Sequence, residues 1–233
     1  MEIPRIVVLT GAGISAESGL ATFRATDGLW NEHRIEDVAT PEGFARDPDL
    51  VQRFYDRRRA EALAAAPNAA HLALARLERD VDPGLVIVTQ NVDDLHERAG
   101  SSNVIHLHGE LNRAWCTACD TRTPWTKGLF DRPACPSCGR RELRPDIVWF
   151  GEGVYHLEAI EAATLGCETF VVIGTSGNVY PAAGLAALAR AHGATTVLLN
   201  LEDQQSLFGY DEVRLGPASV VVPSWVDGVS PAR

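Results

Sequence analysis

The sequence predicts a doubly wound α/β domain that carries a second, smaller unit. Short β-branched runs recur along the chain and end in turn residues, helical patterns lie between them, and two segments interrupt the alternation. The runs are Arg5–Thr10, Leu85–Gln90, Phe170–Thr175, Thr196–Leu201 and Ser219–Val222. Being nearly continuous in Val, Ile and Leu, they read as strands of a parallel sheet covered on both faces. Asn103–Ile105 is a further strand-like stretch. Asp94–Ala99 reads as a helix capped by Asp94 and stopped by Gly100. Pro181–His192 reads as another, with proline in its first turn and Gly193 after its last.

Residues from about 26 to 79 form a predicted helical insertion, with a helix Asp49–Ala65 broken by Pro67 and a second helix capped by Asn68. Residues from about 113 to 146 hold four of the five cysteines and little helical period. Both segments read as excursions that build the smaller domain, which leaves about 1–25, 80–112 and 147–233 for the larger one. Cys167, alone before an apolar run, reads as a buried structural thiol.

A chain of 233 residues has room for this arrangement. No apolar stretch reaches membrane-spanning length, so no membrane partner is expected. The start Met1-Glu2-Ile3-Pro4-Arg5 has neither a charged leader nor a cleavage site, which predicts a cytoplasmic protein, expected to act as a monomer. The formal charge of −10 lacks the basic footprint that non-specific nucleic-acid binding requires. An acidic face for lysine-rich proteins and plain solubility are both consistent with it.

Three patterns carry chemistry. After the first run comes Gly11-Ala12-Gly13-Ile14-Ser15-Ala16, a G-x-G-x-x-A turn opening a predicted helix start; such a turn lets backbone approach a pyrophosphate. The acid that should close a second strand about twenty residues later is missing, and Asn200-Leu201-Glu202 at a later strand end could replace it. Gly174-Thr175-Ser176-Gly177 ends another strand with small hydroxyl residues. Second, Cys116-x2-Cys119 and Cys135-x2-Cys138, with fifteen residues between the pairs, match a four-thiolate zinc site, closed and structural, in a segment poor in apolar residues. Third, Gln90, Asn91 and Asp93 offer more polar groups than one helix cap needs. His106 and His108 fall on one face by alternation, and His108, before a glycine, is the candidate general base.

Taken together, Gly11–Ser15, Phe23-Arg24, Thr89-Gln90-Asn91-Val92-Asp93, His108-Gly109-Glu110, the cysteine pairs, Arg144-Pro145-Asp146, Phe150-Gly151-Glu152, Gly174-Thr175-Ser176 and Asn200-Leu201-Glu202 resemble the sirtuin family over essentially the whole chain. Ala21 departs from the proline many members carry there. The resemblance implies a Rossmann-like large domain, a zinc-binding and helical small domain, and NAD consumed as co-substrate in the cleft between them. It implies that His108 is the base, with Asn91 and Asp93 on the nicotinamide ribose and carboxamide. Gly11, Ala12, Gly13, Ser15, Glu17, Phe23, Arg24, Trp30, Gln90, Gly174, Thr175, Ser176, Asn200, Leu201, Glu202 and Ala218 would line the rest of the dinucleotide site. An acyl-lysine peptide would add as a strand between Val148–Glu152 (Val148, Trp149, Phe150, Gly151, Glu152) and Asn178–Tyr180, with Val179 in contact. The implied reaction gives nicotinamide, O-acyl-ADP-ribose and free lysine. Transfer of ADP-ribose to protein, or a non-catalytic nucleotide sensor, are the alternatives on the same scaffold.

Tyr55 and Arg58, three apart on a predicted helix, share a face. A phenol beside a guanidinium suits a carboxylate. The pair resembles the Tyr-x-x-Arg signature of sirtuins that remove succinyl and malonyl groups, with Ala39 small enough to leave room for the longer chain.

Overall fold

The computed structural model describes residues 5–22, 29–30, 33–81, 84–177, 179–202 and 209–229. In chain order the elements are β1 (Ile6–Thr10), β2 (Leu29–Trp30), β3 (His33–Arg34), α1 (Ile35–Val38), α2 (Pro41–Arg46), α3 (Pro48–Ala64), α4 (Ala69–Asp80), β4 (Leu85–Thr89), α5 (Leu95–Ala99), β5 (Val104–His106), β6 (Gly109–Cys116), β7 (Arg122–Pro124), β8 (Leu143–Ile147), α6 (Leu157–Gly166), β9 (Thr169–Ile173), α7 (Ala182–Ala191), β10 (Thr195–Asn200), β11 (Glu212–Leu215) and α8 (Ala218–Val229).

Six strands form the main sheet in the order β11-β10-β9-β1-β4-β5, and every pair is parallel. The predicted runs behave as their composition requires. All five residues of β4 are buried, with Val86 and Val88 facing one cluster and Leu85 and Ile87 the other. One cluster is closed by Ile160 and Ala163 of α6 with Ala182, Leu185, Ala186 and Ala189 of α7. The other is closed by α4 and α8. From β1 the chain crosses to β4 and β5 on one side, then to β9, β10 and β11 on the other. The topological switch therefore falls between β1 and β9, where doubly wound sheets take their ligands.

Three expectations are corrected. Ser219–Val222 is helical, within α8: Val221, Val222, Trp225 and Val226 bury one face at helical spacing, and a four-residue run with three valines cannot distinguish the two periods. The sixth strand is β11 instead, an edge strand whose residues alternate in exposure. The glycine-rich turn opens no long helix but makes two single 3-10 turns, Ala12–Ile14 and Ala16–Ser18. Asp94 sits at the cap position of α5, yet its side chain accepts from Asn112 Nδ2 at 2.9 Å, and the cap bond comes from Asp93, whose Oδ1 accepts from Leu95 N at 3.2 Å.

The excursions build a third cluster of packing. Val38 and Ala39, then Val51, Phe54, Tyr55 and Ala62 of α3, pack with Leu111, Ile147 and Trp149. By contrast α4, within the segment read as the helical insertion, packs on the main sheet. Residues 109–147 form a three-stranded antiparallel sheet in the order β7-β6-β8, and His108 lies in the turn between β5 and β6 rather than on a strand with His106. Cys167 is buried, its thiol donating to the Thr164 carbonyl at 3.3 Å. Among the described residues no helix is long and apolar enough to cross a membrane.

Candidate active site

At the switch point the ends of β1 and β9 press together. Gly11 N donates to the Ile173 carbonyl at 2.9 Å and Gly13 N to the Gly174 carbonyl at 2.7 Å. A Cβ on Gly13 would lie 2.7 Å from Gly174 Cα, and Gly174 itself has φ +61°. These glycines permit two loops to touch, and two of the N–H groups expected to face a phosphate are spent on that contact.

Above the glycines, polar side chains tie a knot. Ser15 Oγ donates to Asp93 Oδ2 at 3.2 Å, while Asn91 Nδ2 donates to both Ser15 Oγ and the Gly11 carbonyl at 3.2 Å. Ser15, Asn91 and Asp93 are all buried. Burial raises the Asp93 pKa, opposed by the Leu95 amide and the Ser15 hydroxyl. Gln90 Nε2 reaches Thr175 Oγ1 at 3.1 Å, and Asn200 Nδ2 reaches the Thr175 carbonyl at 3.3 Å, so three strand ends are cross-linked.

A cavity of about 1230 Å³ opens here. That exceeds the ~300–1,000 Å³ of a drug-sized pocket and leaves room for two ligands side by side. It is lined by Gly11, Ala12, Gly13, Ser15 and Glu17, by Gly174, Thr175 and Ser176, and by Asn200, Leu201, Glu202 and Ala218. Gln90, Asn91, Asp93 and His108 line it too, as do Ala39, Tyr55, Arg58, residues 148–152 and Val179. Nearly every expected site residue is thus brought to one cavity. Phe23 and Arg24 lie outside the described residues, as does Asn178, and Trp30 is described only by its backbone, paired with His33. The Glu17 carboxylate is already engaged: Oε2 accepts from Ser219 N at 2.8 Å and Oε1 from Ser219 Oγ at 2.6 Å, tying the turn to the start of α8. Sequence reading missed Glu61, Gly216 and Pro217 in the lining. The Gly-Pro pair was a legible turn signal, whereas Glu61 has no signature beyond lying one turn past Arg58.

His108 Nδ1 lies 3.1 Å from the Gln90 carbonyl. A carbonyl only accepts, so Nδ1 carries the hydrogen and Nε2 is left as the basic nitrogen. Burial lowers the His108 pKa, with the Gln90 bond opposing, so the ring is a neutral base at pH 7. Val148 N donates to the His108 carbonyl at 2.9 Å, and Phe150 N to the Ala39 carbonyl at 2.9 Å, which locks the 148–152 loop between the histidine and α1.

In the same lining, Tyr55 is fully buried and burial pushes its pKa up to about 12. Trp149 Nε1 donates to its hydroxyl at 3.0 Å. Arg144 stacks over the Trp149 ring at 3.4 Å and grips Glu152 at 2.7 and 3.0 Å, and Glu152 Oε2 also accepts from Trp149 N at 2.8 Å. Burial lowers the pKa of Arg58, with Tyr55 opposing.

Away from the cavity the four sulfurs of Cys116, Cys119, Cys135 and Cys138 lie within 4.8 Å of one another. The Cys116–Cys138 and Cys119–Cys135 separations are 3.7 and 3.8 Å. A tetrahedron with Zn–S of ~2.3 Å has edges of about 3.8 Å, so the set fits zinc.

A parallel sheet with a long polar cleft at its switch point and a remote four-thiolate cluster defines a nucleotide-binding α/β protein with a structural metal lobe. Residues 11–181 match the Sir2 family model, and the chain belongs to that family. It is 54% identical over 225 residues to the NAD-dependent protein deacylase of Pasteurella multocida (strain Pm70), covering 95% of this chain and 96% of that one. It is 53% identical over 230 residues to the NAD-dependent protein deacylase of Escherichia coli (strain K12), covering 97% and 82%. Among solved structures, a Sir2 homologue–NAD complex superposes with a TM-score of 0.88 at 41% identity, covering 96% of this chain and 88% of that one. Sir2Tm bound to a propionylated peptide gives 0.81 at 29%, covering 96% and 92%.

Proposed function

We propose that this chain is an NAD-dependent protein-lysine deacylase that removes succinyl and malonyl groups, and acetyl as well. The observation that carries the reading is a single cavity joining the Ser15–Asn91–Asp93 knot, a neutral imidazole and the Tyr55/Arg58 pair. NAD, when bound, supplies an electrophilic ribose carbon with nicotinamide as leaving group. Asn91 and Asp93 bind its ribose and carboxamide, and the loops at Gly11–Ser15, Gly174–Ser176 and Asn200–Glu202 hold the rest. His108 takes a ribose hydroxyl proton through Nε2, help worth roughly 10²–10⁴-fold. The peptide lies as a strand between residues 148–152 and Val179, so backbone groups set its affinity. Zinc on the four cysteines holds the 113–146 segment in shape and takes no part in chemistry.

Carboxylate selectivity follows from the hydrogens around Tyr55. Trp149 Nε1–H occupies a lone pair of the Tyr55 oxygen, so the phenol's own hydrogen is left for an acceptor, and its raised pKa keeps that hydrogen in place. With Arg58 the pocket offers donors to an acyl carboxylate.

An NAD-dependent assay on one peptide carrying succinyl-, malonyl- or acetyl-lysine tests the reading, with mass spectrometry of the NAD product. O-acyl-ADP-ribose is expected; ADP-ribosylated protein or intact NAD overturns it. Arg58→Met should cut kcat/KM for the succinyl peptide by about 10²-fold, the scale of a lost charge-assisted bond of ~2–3 kcal/mol, and for the acetyl peptide only severalfold. Equal losses on both peptides would reject the carboxylate clamp while leaving deacylation standing.

A further inference from the structure

Two histidines two residues apart hold consecutive carbonyls of one loop and do so in different protonation states. His108 Nδ1 donates to the Gln90 carbonyl. His106 Nδ1 lies 3.1 Å from the Asn91 carbonyl, and its Nε2 lies 2.8 Å from Glu97 Oε1. A carbonyl oxygen only accepts, and so does an ionised carboxylate, so both ring nitrogens of His106 carry hydrogen. The ring is then a cation, 8% exposed, lodged behind the cavity wall.

Its position is what gives it a use. The Asn91 amide N donates to Thr89 Oγ1 at 3.0 Å on one side of the residue, and the Asn91 carbonyl is held by His106 on the other. With both ends fixed, the Asn91 side chain reaches Ser15 and Gly11. Glu97 stands on α5, the helix whose first amide is bound by Asp93. The imidazole therefore braces the 90–93 loop against the helix that follows it. We propose that His106, backed by Glu97, is a positioning residue for nucleotide binding: its two donated hydrogen bonds set the Asn91 peptide and, through it, the Asn91 and Asp93 side chains. The inference rests on reading the cavity as an NAD site.

The groups facing His106 are Glu97 and His96 of α5, Glu110 of β6 and Asp93 of the loop. Burial opposes its charge, but the Glu97 carboxylate prevails with help from Glu110, and the pKa is raised. As pH rises through that value the ring loses one donor and the brace opens. Nucleotide affinity therefore falls on the alkaline side, where His108 as base is fully competent. The two effects run in opposite directions and can be separated.

Calorimetric dissociation constants for NAD and ADP-ribose between about pH 6 and 9 decide the matter, alongside KM for NAD and for acyl-peptide and the melting temperature of each variant. His106→Phe should weaken NAD and ADP-ribose about tenfold, as expected for a lost bond to a charged group, with KM for peptide changed less than about twofold. Glu97→Gln, at a side chain 41% exposed, should bind like wild type at the acidic end and lose affinity about one pH unit earlier on the alkaline side. Should His106→Phe fail to fold, Glu97→Gln decides alone. Variants that bind nucleotide with the wild-type pH profile overturn the brace. A wild-type protein that binds no NAD instead overturns the reading of the cavity.

Discussion

In the main sheet, β4 buries all five of its residues between α6 and α7 on one face and α4 and α8 on the other. In the 113–146 segment the buried apolar cluster is Ala114, Cys116, Leu129, Cys135 and Leu143, and two of those are metal ligands. The first region is held by apolar area from every direction. The second has too little of it, and four sulfurs at tetrahedral spacing take its place. Coordination substitutes for a core where the sequence, with its Asp120-Thr121-Arg122-Thr123-Pro124 stretch, offers none.

Removing the metal breaks this comparison most severely. A four-thiolate zinc contributes on the order of 10 kcal/mol, as much as a whole domain's stability. Chelation, or Cys119→Ser, should therefore abolish amide protection across 114–143 in hydrogen exchange, while β1, β4 and β9 keep theirs. Deacylation should fall with it, because β6 and β8 supply Leu111 and Ile147 to the cluster beneath Tyr55. A metal-free protein with the segment still protected would show that apolar burial there was enough.

Acid sharpens the comparison from the other side, since the sheet has its own polar weakness. His71 and His96 are buried with ring centroids 5.0 Å apart. Burial lowers His71 to about 4 and His96 well below its ordinary value, the latter helped by the charges of His71 and His106. Both folded pKa values lie below the unfolded one near 6.5, so the unfolded chain takes up protons first. Their full contribution to stability is present above about pH 6.5 and is lost as pH falls toward the folded values, by about 1.4 kcal/mol per pH unit for each histidine. Zinc thiolates also weaken in acid, so the measurement is urea unfolding of wild type against His71→Leu from about pH 6.5 to 4.5. The variant should lose about 1.4 kcal/mol per unit of slope; identical slopes would show that His71 takes up no proton difference on unfolding.

What the sequence made legible follows the same division. β1, β4, β9 and β10 were readable because continuous β-branched runs have one good home, a strand buried on both faces. The zinc ligands were readable because their spacing is local. β11 was missed because an edge strand needs only half its residues apolar, and Ser219–Val222 was misplaced because four residues do not fix a period. In the site, Asn91, Asp93 and His108 stood out by residue type. The contacts that build the site around them did not: the Gly174 carbonyl that Gly13 donates to, the Arg144–Trp149–Tyr55 chain and the Glu97–His106 pair all join residues whose proximity only folding creates.

The smallest expected effect concerns the link between α4 and the glycine turn. Asn68 Oδ1 accepts from Ala70 N at 2.9 Å and caps α4, as its sequence position suggests, and His71 Nδ1 completes a capping box by accepting from Asn68 N at 3.3 Å. The Asn68 Nδ2 group does something no cap requires, donating to the Ile14 carbonyl at 2.8 Å and to Ser18 Oγ at 3.0 Å. Asn68→Ala should cost about 1 kcal/mol from the cap and somewhat more with the tether. Asn68→Asp separates the two, because aspartate caps as well as asparagine but has no hydrogen to give Ile14 and sets a negative charge against its carbonyl. Should the side chain act only as a cap, the aspartate variant will match wild type in urea midpoint. As a tether between sheet-packed helix and nucleotide turn, its loss should leave the aspartate variant less stable than wild type although its cap is intact, and raise KM for NAD in both variants, with KM for peptide unmoved.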